Sequence, residues 1–360
     1  MARRIFIAHF WSTIGVTVWL VAAVTPAAAQ GPAGTAGNQN ASQVTRVTEP
    51  VTMYGTPVAS DLSAVKADVV FLGVPYDLGH SILPGARLGP AAIRAASAIA
   101  GPPGADGFYD RETGEAFLKG VRLADAGDVI IPTADVSQSL ANVTSAIGAI
   151  IAAGAMPVTI GGDHSVTFAV LRGFEASKRR LHVIHLDSHQ DFGPLSDRNT
   201  GRKVIQHGNH LRHAVDLPWV GGITMLGLRG MVHGSGATAT DVRDHNITTL
   251  SASEVLKIGS AAVAARIPAS DAYYVTIDID VLDPSIAPAT GTPVPGGFSY
   301  YQMCDLLDAL ASKGHIAGFD ITEVSPPYDH NNETSQLAAY IGLRFLESIY
   351  KHRALATVKP

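Results

Sequence analysis

The sequence predicts an α/β protein in which a mostly parallel sheet carries helices on both faces. Three observations lead there. Short β-branched runs alternate with longer stretches of helical period, the pattern of a parallel sheet wound between helical layers. The strand candidates are nearly continuous apolar runs, as strands buried on both faces are. Acidic residues and histidines follow several of these runs directly, and parallel sheets bind ligands outside the carboxyl ends of their strands.

Strands are expected at Val69–Val74, Pro157–Ile160, Leu181–Leu186, Ile223–Leu228, Tyr273–Ile277 and Ile316–Ile321. Helices are expected at Pro90–Ala100, Val136–Ala153, Ser165–Ala176, Ala252–Ala265, Tyr300–Ser312 and Thr334–Tyr350. Four strands end in chemistry. Val158-Thr159-Ile160 leads into Gly161-Gly162-Asp163-His164-Ser165, and Val183-Ile184-His185-Leu186 into Asp187-Ser188-His189-Gln190-Asp191. Val275-Thr276-Ile277 leads into Asp278-Ile279-Asp280, and Phe319-Asp320-Ile321 into Thr322-Glu323-Val324. One rim of the sheet is therefore expected to collect all of these side chains.

Composition narrows the function classes. Hydrophobic residues make up 46% and charged residues 16% of the 360, which excludes a disordered chain. Lys+Arg is 26 against Asp+Glu 31 with no run of five basic residues, so neither nucleic acid nor an anionic membrane has an electrostatic footprint here. The one cysteine, Cys304, forms no internal disulfide and no cysteine metal knuckle.

Residues 1–29 read as a signal peptide. A basic start with Arg3 and Arg4 precedes an apolar run through Val24 and a cleavage site at Ala27-Ala28-Ala29. His9 and several small polar residues make that run a poor permanent span. Arg3-Arg4-Ile5-Phe6-Ile7 also resembles a twin-arginine signal, and both export routes stay open. Residues 30–50 read as a flexible leader. Residues 51–360, with no internal repeat and no strong linker, are expected to form a single domain. The expected location is periplasmic or secreted, with no membrane span left after cleavage.

The rim offers four carboxylates and two imidazoles: Asp187, Asp191, Asp278, Asp280, His164 and His189. In Asp-x-His-x-Asp, alternate residues leaving a strand point to the same side. Four carboxylates packed together raise one another's pKa values, and two divalent cations would cancel that charge. Oxygen donors plus imidazole, without thiolate, suit Mn²⁺ best, with Zn²⁺, Ni²⁺, Fe²⁺ and Co²⁺ as alternatives. Two such ions about 3.5–4 Å apart activate water near neutral pH, so the chemistry expected is metal-assisted hydrolysis. His185, inside its strand, reads as a satisfied core histidine. Asp163 reads as a partner of His164, and Asp283 as a turn residue.

These residues resemble a known family. Gly-Gly-Asp-His-Ser (161–165), Asp-Ser-His-Gln-Asp (187–191) and the stretch from Asp278 to Pro293 resemble the three signatures of the ureohydrolases, which include arginase, agmatinase and guanidinobutyrase. The likeness spans roughly residues 67–350. Leu83 to Pro90, Ala124 to Val129 and Leu228-Arg229-Gly230 resemble the agmatinase branch. The resemblance implies a three-layer α/β/α, arginase-like fold and a binuclear manganese site. His164, Asp187, Asp191 and Asp278 would hold one ion, and His189, Asp187, Asp278 and Asp280 the other, with Asp187 and Asp278 bridging. It further implies hydrolysis of a guanidinium group to urea and an amine. Asp191 would orient the attacking water, Glu323 bind the guanidinium, His207 pass a proton to the leaving amine, with His210 and His213 as competitors for that part, and Thr292 orient Glu323. A homotrimer or homohexamer is implied as well.

Three departures from the family's pattern stand out: export, since family members are mostly cytoplasmic; Ser188, which is expected to leave the metals intact; and a loop that bears on the substrate. Ser188 stands where the family has alanine. The loop from Phe192 to Gln206 is long and polar, and lacks the pattern by which arginases read the amino-acid end of arginine. Agmatine leads, followed by guanidinobutyrate or another guanidino acid, then arginine and guanidine. Arg198, Arg202, Lys203 and Arg212, in or near the loop, tilt toward a carboxylate tail. Two other classes remain, a zinc amide deacetylase of related fold and an inactive periplasmic binding protein. Asp280 and the Gly-Gly-Asp-His motif weigh against the first, and the complete ligand set against the second.

Overall fold

Every neighbouring pair of strands in the main sheet is parallel. The computed structural model describes residues 50–360 except 81, 198, 232–241, 243, 246, 359 and 360. The expected signal peptide and the leader up to residue 49 lie outside the described residues. The strands are β1 Val69–Gly73, β2 Phe108–Tyr109, β3 Ala116–Phe117, β4 Leu123–Asp128, β5 Met156–Ile160, β6 Leu181–Leu186, β7 Val220–Leu228, β8 Thr248–Ser251, β9 Ala272–Asp278 and β10 Ile316–Thr322. Among the described residues, β2 and β3 form a small hairpin, and the other eight are ordered β4-β1-β5-β10-β9-β6-β7-β8. The helices are α1 Gly89–Ser97, α2 Val136–Ala152, α3 Val166–Gly173, α4 His210–Ala214, α5 Ala252–Ile258, α6 Ser260–Arg266, α7 Tyr300–Ala311 and α8 Glu333–Val358.

All six expected strands form, with ends shifted by a few residues. The two edge strands, β4 and β8, were not expected, and the reason is physical. Leu-Ala-Asp-Ala-Gly-Asp and Thr-Thr-Leu-Ser are half-exposed edges without the apolar run that marks a doubly buried strand. The helix expected over Ala252–Ala265 is two helices. Gly259 breaks it at φ +79°, a conformation that costs glycine little. The last helix runs on past Tyr350 to Val358.

Alternate strand residues feed two cores. Phe71, Val158, Ile184, Val275 and Phe319 pack with α1, α5, α6, α7 and α8 on one face. Val70, Leu72, Val183, Met225 and Tyr274 pack with α2, α3 and α4 on the other. The result is the expected three-layer α/β/α arrangement. A polar row interrupts the second face. Thr159, Asp320, Thr276 and His185 lie in register across β5, β10, β9 and β6, all fully buried. Among the described residues no helix is long and apolar enough to cross a membrane.

Arg94 on α1 ties the β4 edge to the body. Its Nε donates to Asp125 Oδ2 at 2.8 Å, and its other nitrogens reach Asp128 and the Gly127 carbonyl. Met53 N also donates to Asp125 Oδ2, at 2.7 Å. Arg94 and Asp125 are both buried. Removing one partner of a buried pair strands the other charge and costs about 3–5 kcal/mol. Arg94→Met is therefore expected to lower unfolding free energy by about 3 kcal/mol in urea titrations.

Candidate metal centre

The sheet delivers its acids to one rim, as four adjacent strands end together. Asp278 closes β9, Asp187 follows β6, Glu323 follows β10, and His164 lies in the turn between β5 and α3. The turn is tight because Gly162 lies against the backbone of Tyr76, where a Cβ would fall 1.7 Å from the Tyr76 carbonyl oxygen. Asp163 fastens the same turn, accepting from Gly79 N at 2.7 Å and Ser165 N at 2.9 Å. It thus organises the loops and does not contact the His164 ring, contrary to its expected role.

The donors converge in two groups. His164 Nδ1 lies 3.0 Å from Asp187 Oδ2, 3.2 Å from Asp278 Oδ2 and 3.3 Å from Asp191 Oδ2. His189 Nδ1 lies 3.0 Å from Asp280 Oδ2 and 3.4 Å from Asp187 Oδ1. Neighbouring ligands of an octahedral ion with bonds of roughly 2.1 Å sit about 3 Å apart, so both groups suit a first-row divalent cation. Asp187 turns one oxygen to each group. Asp278 turns Oδ2 to His164, while its Oδ1 accepts from Asp280 N at 2.8 Å. Asp187 Oδ2 is buried and accepts no hydrogen bond, leaving it available to a cation.

A chain of hydroxyls sets the His164 tautomer. Thr167 donates to Asp320 Oδ2 at 2.9 Å, so it can only accept from Thr276, 3.3 Å away. Thr276 then accepts from His164 Nε2 at 2.7 Å. In the neutral imidazole the ring proton then sits on Nε2, and the Nδ1 lone pair points where the carboxylate oxygens also point, the place a cation would take. Partners of this kind fix the orientation of metal-binding histidines.

Electrostatics among the protein groups agree with a cation site. Burial raises Asp278 and Asp280, and the charge of neighbouring aspartates adds to it. Burial also works to raise Asp187 and Asp191, but surrounding imidazoles hold both below the usual carboxylate range. The mutual raising expected of four carboxylates thus holds for two of them. The imidazoles facing the other two favour their charged form, as a metal ion would.

Two aspects of the backbone show strain. Asp191 and Glu323 have φ of +46° and +63°, a region that costs a non-glycine residue about 1–3 kcal/mol and clusters at functional sites. Arg229 pins the Asp280 loop by donating to the carbonyls of Asp280, Val281, Leu282 and Val294.

Glu323 lies fully buried behind two histidines. Its Oε1 accepts from His164 N at 2.9 Å. His207 Nδ1 stands 3.5 Å from Oε1 and His80 Nε2 3.2 Å from Oε2, with the two rings stacked at 4.4 Å. Burial works to raise Glu323, but both histidines hold it at about 2. Burial works to lower His207, but Glu323 lifts it to about 9.

Several placements differ from expectation. Thr292 donates to Asp280 Oδ2 at 3.3 Å, a different carboxylate from the expected Glu323. Ser188 places its hydroxyl 3.0 Å from His189 Nδ1. His185 is satisfied only in part: its Nε2 lies 3.0 Å from Asp187 Oδ2, while its Nδ1 makes no hydrogen bond. His80 was missed, and His210 was weighed only as a competitor to His207, not as a neighbour of Asp191. His80 stands in a loop with no motif, and its only sequence signal is the preceding Asp77-Leu78-Gly79. The signal for His210 was its position three residues after His207. Asp283 caps its turn as expected, accepting from Ser285 N and Gly296 N.

A cavity of about 320 Å³ opens over the centre, lined by His189, Asp191, Phe192, His207, Asp278 and Thr292 among others. Arg202 and Lys203 are exposed, Arg212 stacks its guanidinium on Phe192 at 5.2 Å, and Arg198 lies outside the described residues.

Thr276→Val breaks the hydroxyl chain while keeping side-chain volume. It is expected to weaken divalent-ion affinity about 10–100-fold, as read by calorimetric titration with Mn²⁺. Unchanged affinity would show that the chain does not govern His164.

The Arginase family model matches residues 67–347. Proclavaminate amidinohydrolase of Streptomyces clavuligerus is 37% identical, over 78% of this chain and 87% of that protein. Its solved structure superimposes with a TM-score of 0.73 at 33% identity, covering 85% of this chain and 98% of that one. Guanidinobutyrase of Pseudomonas aeruginosa is 34% identical over 80% and 88% of the two chains. The mitochondrial agmatinase of Gallus gallus is 32% identical over 77% and 79%. With its parallel α/β/α sheet and its paired histidine–aspartate groups at one rim, this chain belongs to the arginase family of ureohydrolases.

Proposed function

We propose that this chain hydrolyses the guanidinium group of a small guanidino compound to urea and an amine, and that agmatine is its substrate. The observation that carries the reading is the meeting of two histidine–aspartate groups, sharing Asp187, with a buried Glu323 that faces His207 on the cavity wall. The cavity volume suits a small ligand.

Four carboxylates and two imidazoles fit two Mn²⁺ ions. Such ions supply water of lowered pKa and a positive field for the charge that develops in the transition state. His164, Asp187, Asp191 and Asp278 would hold one ion, and His189, Asp187, Asp278 and Asp280 the other. The protein's own groups then divide the work. Asp191 accepts a hydrogen bond from the attacking water and orients it toward the guanidinium carbon. Glu323 pairs with the planar cation through charge-assisted hydrogen bonds, as His80 and His207 give way. His207, an imidazolium while it faces Glu323, loses that support when the substrate cation takes over the carboxylate. Its pKa falls from about 9, and the proton passes from the imidazole to the leaving nitrogen.

A second reading, hydrolysis of a guanidino acid such as 4-guanidinobutyrate, has its own support. The relatives at 37% and 34% identity bear the names proclavaminate amidinohydrolase and guanidinobutyrase, against 32% for agmatinase.

Urea release by Mn²⁺-loaded protein tests both readings against agmatine, 4-guanidinobutyrate, 3-guanidinopropionate, arginine and guanidine. Agmatine is expected to give the highest kcat/KM. A higher value for a guanidino acid moves the assignment to the second reading, and no urea from any of them overturns both. His207→Asn is expected to lower kcat about 10²-fold or more with little change in KM. An unchanged kcat would remove His207 from proton transfer.

A further inference from the structure

We propose that His210 is a positioning residue for the hydrolysis, its ring N–H joining the carboxylate of Asp191 to the backbone of His207. This rests on the reading above, in which Asp191 orients the attacking water and His207 passes the proton.

His210 opens α4, and its side chain is fully buried. Its Nδ1 lies 2.9 Å from the His207 carbonyl oxygen and 3.3 Å from Asp191 Oδ2. A carbonyl oxygen and an ionised carboxylate only accept, so Nδ1 carries the ring proton and shares it between the two. That proton keeps Nδ1 off a cation, and His210 acts on Asp191 through the hydrogen bond alone. Nε2 makes no hydrogen bond, so Nδ1–H is the ring's hydrogen-bonding link to the described residues. The ring stacks on His164 with centroids 4.2 Å and planes 27° apart, which fixes the direction of the N–H.

Main-chain bonds hold the two segments together but do not aim the Asp191 carboxylate. Leu211 N donates to the Asp191 carbonyl at 3.2 Å, and Gly193 N to the Gly208 carbonyl at 2.9 Å. Asp191 Oδ2 also meets His164 Nδ1 at 3.3 Å, but the neutral His164 ring carries its proton on Nε2. The near ring N–H facing that oxygen is therefore the one from His210. On its other side, His207 is tied by its own N–H to the Gly79 carbonyl at 3.1 Å, and its ring faces Glu323. One imidazole thus keeps the carboxylate that aligns the water in a fixed relation to the residue that gives up the proton. Attack and proton transfer both need that relation. Pairing of the guanidinium with Glu323 does not pass through His210, so loss of the N–H is expected to lower kcat and leave KM.

The test compares wild type, His210→Phe and His210→Asn, each loaded with Mn²⁺ and its metal counted, on the guanidino compound that gives urea fastest. Phenylalanine keeps the volume and the stacking and removes the N–H. Asparagine carries an amide nitrogen as many bonds from Cβ as Nδ1 is, and does not pass a proton. His210→Phe is expected to lower kcat at least about tenfold with KM within about twofold, since misplacing a reacting group by about 1 Å costs up to about 10²-fold. His210→Asn is expected to recover kcat to within about threefold of wild type, because the donor is restored. A wild-type kcat in His210→Phe overturns the proposal. So does a His210→Asn no faster than His210→Phe, the result a proton-passing His210 would give. If His210→Phe does not fold or binds fewer ions, a crystal structure of the Mn²⁺-loaded wild type decides. Nδ1 is expected within about 3.5 Å of both oxygens, and a longer distance to Asp191, or an ion on Nδ1, overturns the proposal. Active wild type with unaffected variants overturns this inference alone, whereas wild type that releases no urea from any of the compounds overturns the hydrolase reading and this inference with it.

Discussion

The site depends on burying four carboxylates side by side. Asp187, Asp191, Asp278 and Asp280 are each nine-tenths or more buried, and their repulsion has to be offset by positive charge held among them. Asp187 is the pivot, since its Oδ2 faces His164 and His185 and its Oδ1 faces His189. The parallel sheet makes this geometry possible. Side-by-side strands ending at one edge place residues distant in sequence within a few ångströms.

Around that charge the protein spends rigidity. Arg229 fastens the Asp280 loop by its carbonyls, and Asp163 fastens the turn that carries His164. The chain of Thr276, Thr167 and Asp320 reaches the same histidine from inside the sheet. Asp191 and Glu323 are held in a left-handed backbone conformation, strain that only a well-tethered frame sustains. Two imidazoles face Glu323. That pairing keeps it ionised and suited to a cationic group.

Much of this was legible in the residues. Apolar runs marked the central strands because those strands are buried on both faces. The acids and histidines directly after them marked the rim, because a parallel sheet turns sequence position at a strand end into position in space. Edge strands β4 and β8 escaped notice because exposure frees them from the apolar pattern. His80 could not be placed because a loop carries no period that aims its side chains. His185 was misread for the opposite reason: it sits inside a strand, where periodicity says only that it is buried. Whether a buried histidine is satisfied depends on neighbours from other strands. Thr292 was assigned to the wrong carboxylate, Glu323 in place of Asp280, because both carboxylates stand at the same rim and only the fold separates them.

The central claim is a pair of ions joined through Asp187. Electron paramagnetic resonance of the fully Mn²⁺-loaded protein, with the metal content of the same sample counted, tests it most directly. The account predicts two ions per chain and the multiline spectrum of an exchange-coupled pair. One ion per chain, or two ions giving the six-line spectrum of isolated Mn²⁺, would contradict it.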